Sequence, residues 1–352
     1  AVTGVQTCAL PISGILGDLL GDPKARIYHA HTTKRTGGMV RTAARLRGLP
    51  YVVTLHGGTF DVPEAERADL LDPLKGTLEW GKAIGFVLGS RAVLRDADTV
   101  ICIGKKEMEG VQRRFPETPV RYIPWGVDTS WILSGDRSRA RSRWKFSDTN
   151  GAPQKNSPTV LLTVGRVDVQ KNQIALVRAL PEIRSRCGDV RLLFVGPTTS
   201  SDYEKKLLEA IGDKGLEPYI TLTGAVPARS AELADLYAAA DGFVLPSRHE
   251  PFGVVALEAW AAGLPVVASR VGGIPDFVGH RRNGFLVDRP EPQPLARAVE
   301  QVLTKKGLRE QLAAAGRKEV GRYTWKRNTE SHLELYEELI GKKRGRKRGL
   351  QW

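Results

Sequence analysis

The sequence predicts an α/β protein with two parallel sheets in two domains, and three observations carry that prediction. At 352 residues the chain exceeds what one hydrophobic core usually serves. Short apolar runs alternate with helix-length stretches, the pattern of parallel sheets joined by crossover helices. A polar stretch, Ser134 to Ser157, rich in Arg, Ser, Asp, Asn and Gly, divides the alternation into two series and reads as a linker or insertion.

In chain order, the first series has strand-like runs at Ile27–Ala30, Tyr51–His56, Thr99–Ile103 and Val120–Ile123, with helix-like stretches at 36–47, 74–95 and 105–115. The second series has strands beginning near 159, 190, 219, 242, 265 and 284. The connection Gly165–Gln170 is tight, and Lys171 is expected to start a helix running to about Cys187. Arg166 and Lys171 then flank the carboxyl end of a strand, where open α/β sheets place their ligands. Any one Arg or Lys in so basic a chain is by default a solvated charge. Their position is what recommends them, since a departing diphosphate needs fixed cations, and Arg supplies a fork where Lys supplies a point charge.

The richest segment is Ser247–Asp276, SRHEPFGVVALEAWAAGLPVVASRVGGIPD. Pro251 suits a first turn, Gly253 lets a ligand approach the backbone, and Val254–Ala262 is a helix-forming run stopped by Gly263 and Pro265. Free amides at Gly253 and Val254 would attract an anion, and the Gly-rich turn Val271–Pro275 could turn further amides toward it. Glu250 and Glu258 bracket this start. Eight residues of helix rise by about 12 Å, too far for a glycosidase carboxyl pair at about 5 to 10 Å. Two separate hydroxyl clusters fit better, with Glu250 on a sugar, Glu258 on a ribose, and a diphosphate between them. The plain alternative is an acidic helix start that complements the macrodipole; it suits Glu250 better than Glu258, which lies mid-helix among Ala, Leu and Trp.

The Glu-x7-Glu spacing, with Pro-Phe-Gly inside and Glu-Ala-x-Ala-x-Gly-x-Pro-Val after it, resembles the family 4 glycosyltransferases of the GT-B fold. The resemblance runs from about Arg26 to Glu338 and includes TVGRVDVQKN at 163–172 and IPWGVD at 123–128, which is similar to the family's end-of-domain segment. It implies two Rossmann-like domains facing a cleft, and a retaining transfer of sugar from a nucleoside diphosphate donor to a hydroxyl acceptor. Arg166 and Lys171 match the family's basic pair on the donor phosphates. His56, in VVTLHGG, ends a strand before two glycines and matches a family His near the transferred sugar; its plain alternative is a strand-end His bonded to a backbone carbonyl. The expected site is therefore His56 and Glu250 as catalytic, Arg166, Lys171, Gly253 and Val254 on the phosphates, and Glu258 on the ribose. Two rival functions are a nucleotide-sugar epimerase of GT-B architecture and an inactive fragment that only binds nucleotide.

Residues 1–13, AVTGVQTCALPIS, resemble an in-frame translation of a sequencing adapter; a secretory signal would need a basic start and a continuous apolar core. The family normally opens with a strand, a Gly-rich loop and a helix, so the expectation is a first domain incomplete at its N-terminus, with unpaired sheet edges. The domain division is then 14–133 for a partial acceptor-side domain, 134–157 for the linker, 158–323 for the donor domain, 324–340 for a C-terminal helix and 341–352 for a basic tail.

No metal or other cofactor is expected. Asp96-Ala-Asp98 could hold a divalent ion in another glycosyltransferase class, but a string that closes one helix and precedes a strand reads as a solvated helix end, with Arg166 and Lys171 supplying the charge. His29 and His31 alternate along a strand without a third ligand at suitable spacing. Cys102 and Cys187 belong to no motif, which suits a reducing, cytoplasmic setting. The formal charge of +14 owes six cations to Lys342, Lys343, Arg344, Arg346, Lys347 and Arg348. That tail reads first as a disordered solvated arm, second as a peripheral contact at the inner face of a membrane, and not as a specific nucleic-acid binder, since aromatics are not interleaved. Trp80–Leu94 is a weak amphipathic membrane candidate whose expected fate is packing in the first domain. No apolar run reaches spanning length.

Overall fold

The structure, a computed structural model, describes residues 12–58, 60, 92–146 and 157–349. It divides into two compact units, one comprising Ala1–Pro124 with Asn328–Trp352 and the other Trp125–Arg327. The first boundary falls after Pro124, nine residues before the expected one at 133. Of the segment 1–13, only Ile12 and Ser13 are described, as the start of helix α1 (Ile12–Gly21); the expected helix at 74–95 and the candidate Trp80–Leu94 fall mostly outside the described residues.

The first unit holds a parallel sheet in the order β1 (Tyr28–Ala30), β2 (Tyr51–Leu55), β3 (Thr99–Cys102), β4 (Val120–Tyr122). Strand alternation divides its side chains between two faces. Val53, Val100 and Cys102 pack with Val40, Ala43 and Ala44 of α2 (Arg35–Arg47) and Val111 of α3 (Lys105–Arg114). Val52 and Ile101 face the other way, onto Leu335, Tyr336 and Leu339 of the C-terminal helix (Trp325–Gly349). The basic tail is not a separate arm here: that helix continues to Gly349, Lys342 pairs with Glu338 at 2.5 Å and Lys343 with Asp98 at 3.6 Å. Lys and Arg are good helix formers and suit a helix C-terminus.

Asp96 and Asp98 are not a solvated helix end. Arg41, Arg45 and Arg95 all pair with the Asp96 carboxylate, and Asp98 accepts the Tyr51 amide at 2.9 Å, tying β2 to the start of β3. Burial by itself would raise the Asp96 pKa; hydrogen bonds from Arg95 and Arg41 outweigh it and hold the carboxyl below its ordinary value. Cys102 is buried and Cys187 half-buried, and neither is in a disulfide.

The second unit holds a six-stranded parallel sheet in the order β10 (Phe285–Val287), β9 (Val266–Ser269), β8 (Gly242–Leu245), β5 (Thr159–Val164), β6 (Val190–Val195), β7 (Ile220–Leu222). The chain winds outward from β5 to β6 and β7 on one side, then returns to β8, β9 and β10 on the other, so the order reverses between β5 and β8. Both faces of such a sheet are covered, and its strands read as continuous apolar runs. The helices are α4 (Arg137–Arg143), α5 (Gln173–Cys187), α6 (Ser201–Gly212), α7 (Ala231–Ala239), α8 (Val254–Ala261), α9 (Pro292–Thr304) and α10 (Leu308–Val320).

The stretch expected as a linker at 134–157 is structured through residue 146, and its 147–156 portion lies outside the described residues. Three of its arginines have specific partners in the second unit. Arg139 forks onto Asp235 at 2.6 Å, and Arg137 donates to the carbonyls of Ala238, Ala239 and Ala240 that close α7. Arg141, 8% exposed, reaches Asp241, which also accepts the Val160 amide at 2.9 Å. A guanidinium supplies five donors in a fixed fork, enough to cap a helix and pair a carboxylate together.

Candidate active site

The reversal between β5 and β8 is where an open α/β sheet leaves a crevice beyond the carboxyl ends of its strands, and two loops meet there. The first follows β5. Gly165 at φ +151° and Gly196 at φ +144° end β5 and β6, and a Cβ on Gly196 would stand 2.1 Å from the Gly165 carbonyl oxygen, so only glycine permits this approach. Asp168, 8% exposed, accepts the Lys171 amide at 2.9 Å and pairs with Arg166 at 3.2 Å. The helix starts at Gln173, not at Lys171, because Asn172 takes a left-handed φ of 57° while its side-chain amide donates to the Pro246 and Pro290 carbonyls.

The second loop follows β8 and is bonded directly to the first: the Arg248 amide donates to the Gln170 carbonyl at 2.8 Å and the Gln170 side chain to the His249 carbonyl at 3.1 Å. Across this joint Lys171 Nζ meets Glu250 Oε2 at 2.5 Å, with both side chains nearly buried (12% and 8% exposed), and Ser247 Oγ donates to the same oxygen at 3.3 Å. Arg166 remains half exposed, held by Gln170 at 3.0 Å.

Gly253, at φ +95°, caps α8, so Val254 opens a helix whose first amides point out of its N-terminus. The turn 271–275 does something other than expected. The Gly273 amide donates to the Glu250 carbonyl at 3.0 Å, and a Cβ on Gly272 would lie 1.9 Å from that same oxygen. The turn braces the Glu250 backbone, and the Gly273 amide is spent on that bond. Farther along α8, Glu258 accepts the Tyr237 hydroxyl at 2.7 Å. Burial raises the Glu258 pKa, against the lowering effects of the Tyr237 hydrogen bond and the Arg229 charge. Glu258 and Val254 open into a pocket of about 340 Å³ in this unit, lined also by Trp125, Asp128, Trp131, Arg229 and Trp325.

The structure thus brings Arg166, Lys171 and Glu250 to one joint between loops and sets Gly253, Val254 and Glu258 on the adjoining helix. Tyr237, Ser247, Asp168 and Gln170 were not singled out from sequence. Tyr237 stands 21 residues from Glu258 and gives no local signal, whereas Asp168, three residues before Lys171, sits at a capping-type spacing that could have been read.

His56 lies in the first unit, exposed at the end of β2. Its Nε2 stands 3.1 Å from His31 Nδ1, with the two rings stacked at 5.2 Å between centroids. His29 and His31 do share a face, 4.2 Å apart. His29 is fixed from both sides, Nδ1 at 2.5 Å from Tyr336 Oη and Nε2 at 2.6 Å from Thr54 Oγ1. Burial, then the neighbouring His31, His332 and His56, pushes the His29 pKa down to about 3; burial, then a neighbouring ring, also lowers those of His31 and His56.

Comparison with known proteins shows the family. Residues 145–319 match the family described as glycosyl transferases group 1, and residues 6–126 match a glycosyl transferase 4-like domain. The chain is 30% identical over 349 residues to the D-inositol 3-phosphate glycosyltransferase of Acidothermus cellulolyticus, an alignment covering 97% of this chain and 73% of that protein. It is 28% identical to the enzyme of the same name from Segniliparus rotundus, covering 94% and 70%. Among four such relatives the chain spans 58% to 73% of their length. Two solved structures share the fold: a glycosyltransferase from Rickettsia africae (TM-score 0.74, 17% identity, 94% of this chain and 80% of that one) and Anabaena HepE in complex with UDP and glucose (TM-score 0.72, 20% identity, 93% and 81%). Two parallel α/β units, a basic pair beyond β5, carboxylates before and within α8, and matches to both family domains place this chain in the family 4, group 1 glycosyltransferases of the GT-B fold.

Proposed function

We propose that the chain transfers a sugar, with retention, from a nucleoside diphosphate sugar to a hydroxyl acceptor, the second unit holding the donor and the first the acceptor. The observation that carries this is the nearly buried Lys171–Glu250 pair beside the start of α8, with the Glu258 carboxylate one face further along. A desolvated cation next to free helix amides suits a diphosphate. Arg166 and Lys171 stabilise the charge that develops on the departing diphosphate, together with the amides at Gly253 and Val254, so the reading needs no metal ion. Lys171 fixes the Glu250 carboxylate, whose remaining lone pairs accept from sugar hydroxyls, while Glu258 accepts from the ribose diol. His56, its pKa lowered by partial desolvation of the ring and then by the neighbouring His31, orients the reacting face of the sugar as a donor or acceptor. The names of the relatives support glycosyl transfer, and the UDP-glucose complex of HepE supports a nucleotide-sugar donor.

The test is calorimetric binding of UDP, GDP and ADP and their common sugar conjugates to the parent and to Glu258→Gln. Binding that weakens in the variant supports the donor site, and a folded parent that binds none of them refutes it. Product analysis by NMR then reads the anomeric outcome; release of free sugar or an epimer without acceptor would favour the epimerase reading. The basic end of the C-terminal helix is a further candidate, for peripheral contact with an anionic membrane at about 1 kcal/mol per basic residue near the lipid. Sedimentation with anionic and neutral vesicles tests it, equal binding to both counting against it. Among the described residues no helix is long and apolar enough to cross a membrane.

A further inference from the structure

The proposed role for His56 says nothing of which ring nitrogen carries its proton, and its neighbours bear on that question. A 3.1 Å separation between His31 Nδ1 and His56 Nε2 is a hydrogen-bond distance, and a hydrogen bond between two imidazole nitrogens carries one proton, donated by one ring and accepted by the other. We infer that His31 is the positioning residue for His56: the single proton shared by His31 Nδ1 and His56 Nε2 couples the tautomers of the two rings, so that of their two outer nitrogens one is a donor and the other an acceptor.

The bookkeeping allows two states. If His31 Nδ1 donates, neutral His56 carries its own proton on Nδ1, and the outer nitrogens are an acceptor on His31 and a donor on His56. If His56 Nε2 donates, His31 carries its proton on Nε2 and the outer roles exchange. Both rings therefore always occupy the same tautomer, and the pair always offers one donor and one acceptor. A second His acting alone would not impose that rule.

The pair is held from behind. His29 stacks on His31 at 4.2 Å and cannot turn, being fixed by Thr54 on β2 and Tyr336 on the C-terminal helix. His332, on that helix, stacks on His29 at 5.7 Å. Partial desolvation of the two rings and the neighbouring imidazoles lower both pKa values and so favour the uncharged rings that the shared proton requires. This inference rests on His56 meeting the substrate only for its effect on rate; the pairing itself can be read without substrate.

The experiment is long-range 1H–15N NMR of the histidine rings at pH 7 in the full chain, with His31→Phe and His56→Phe giving the assignments. The expected result is that His31 and His56 are both neutral, share one tautomer, and show a coupling between the two inner nitrogens. Opposite tautomers, or a charged ring in either residue, would overturn the inference. Kinetics with whichever conjugate of the donor panel is bound then separate positioning from structure. His31→Phe keeps the stack but removes the nitrogen and should lower kcat about tenfold with KM changed less than about twofold, whereas His31→Asn, whose amide reaches the Nδ1 position, should restore most of the rate. Because His31 is exposed, neither variant should lose its fold, which a thermal melt checks. An unchanged kcat in His31→Phe overturns the positioning role. Should no donor bind, the transferase reading fails while the tautomer result still decides the pairing.

Discussion

Acidifying the protein from pH 7 to pH 5 should destabilise the first unit through His29. Its pKa, pushed from 6.5 to about 3, lies below that of an unfolded histidine, so between these values the unfolded chain binds a proton that the folded chain refuses. Stability from this group is complete above pH 6.5 and is lost as pH falls toward about 3. At about 1.4 kcal/mol per pH unit below 6.5, the loss at pH 5 is about 2 kcal/mol. The cause is structural: burial of the ring comes first, followed by the neighbouring imidazoles of His31, His332 and His56, while Tyr336 and Thr54 hold the ring in place. The assay is urea unfolding of the parent and of His29→Gln, which cannot titrate, at pH 7, 6 and 5. A two-unit chain need not unfold in one step, so the transition scored is the one in which the amides of β1 and β2 lose hydrogen-exchange protection. The parent-minus-variant difference should shrink steadily toward pH 5. A difference that is flat from pH 7 to 5 would refute the reasoning.

Glu258→Gln keeps a partner for the buried Tyr237 hydroxyl but removes the charge, so donor affinity should fall about tenfold to a hundredfold with little loss of stability, as read by calorimetry and a thermal melt. Because burial raises the Glu258 pKa, donor affinity in the parent should decline as pH drops through that raised value and the carboxylate takes up a proton, while Glu258→Gln should lack this dependence; parallel curves would count against the assignment. Lys171→Met leaves the Glu250 carboxylate nearly buried without its cation and should cost about 3 kcal/mol in the second unit, measured by urea unfolding, and substituting Gln for Glu250 in the same chain should recover part of it. Gly272→Ala forces a Cβ to within 1.9 Å of the Glu250 carbonyl at a φ of +52°, so it should displace Glu250 and weaken donor binding; unchanged affinity would show that the turn does not brace it.

Much of the fold could be read along the chain because its signals are local. Strands such as Thr159–Val164 and Val190–Val195 are mostly apolar runs closed by glycine, and the helix after Gly253 is bounded by its own residues. The Glu250 and Glu258 spacing, and Arg166 and Lys171 at a strand end, were legible for the same reason. What failed were readings of charge. The polar stretch 134–157 read as a linker or insertion, Asp96 and Asp98 as a solvated helix end, and the basic tail as a disordered arm, because sequence reports that a group is charged but not whether a partner awaits it elsewhere in the fold.

Those partners were set by tertiary structure alone. Asp235 and Asp241 make the linker arginines into clamps, the parallel order of β5 and β8 brings Lys171 to Glu250 from 79 residues away, and the placing of β1 beside β2 makes His31 a neighbour of His56. Periodicity, turns and caps act over a few residues and are written in the sequence. Ion pairs, pKa shifts and shared protons depend on distances of 2.5 to 3.1 Å across the sheet, and those distances exist only once the strands have paired.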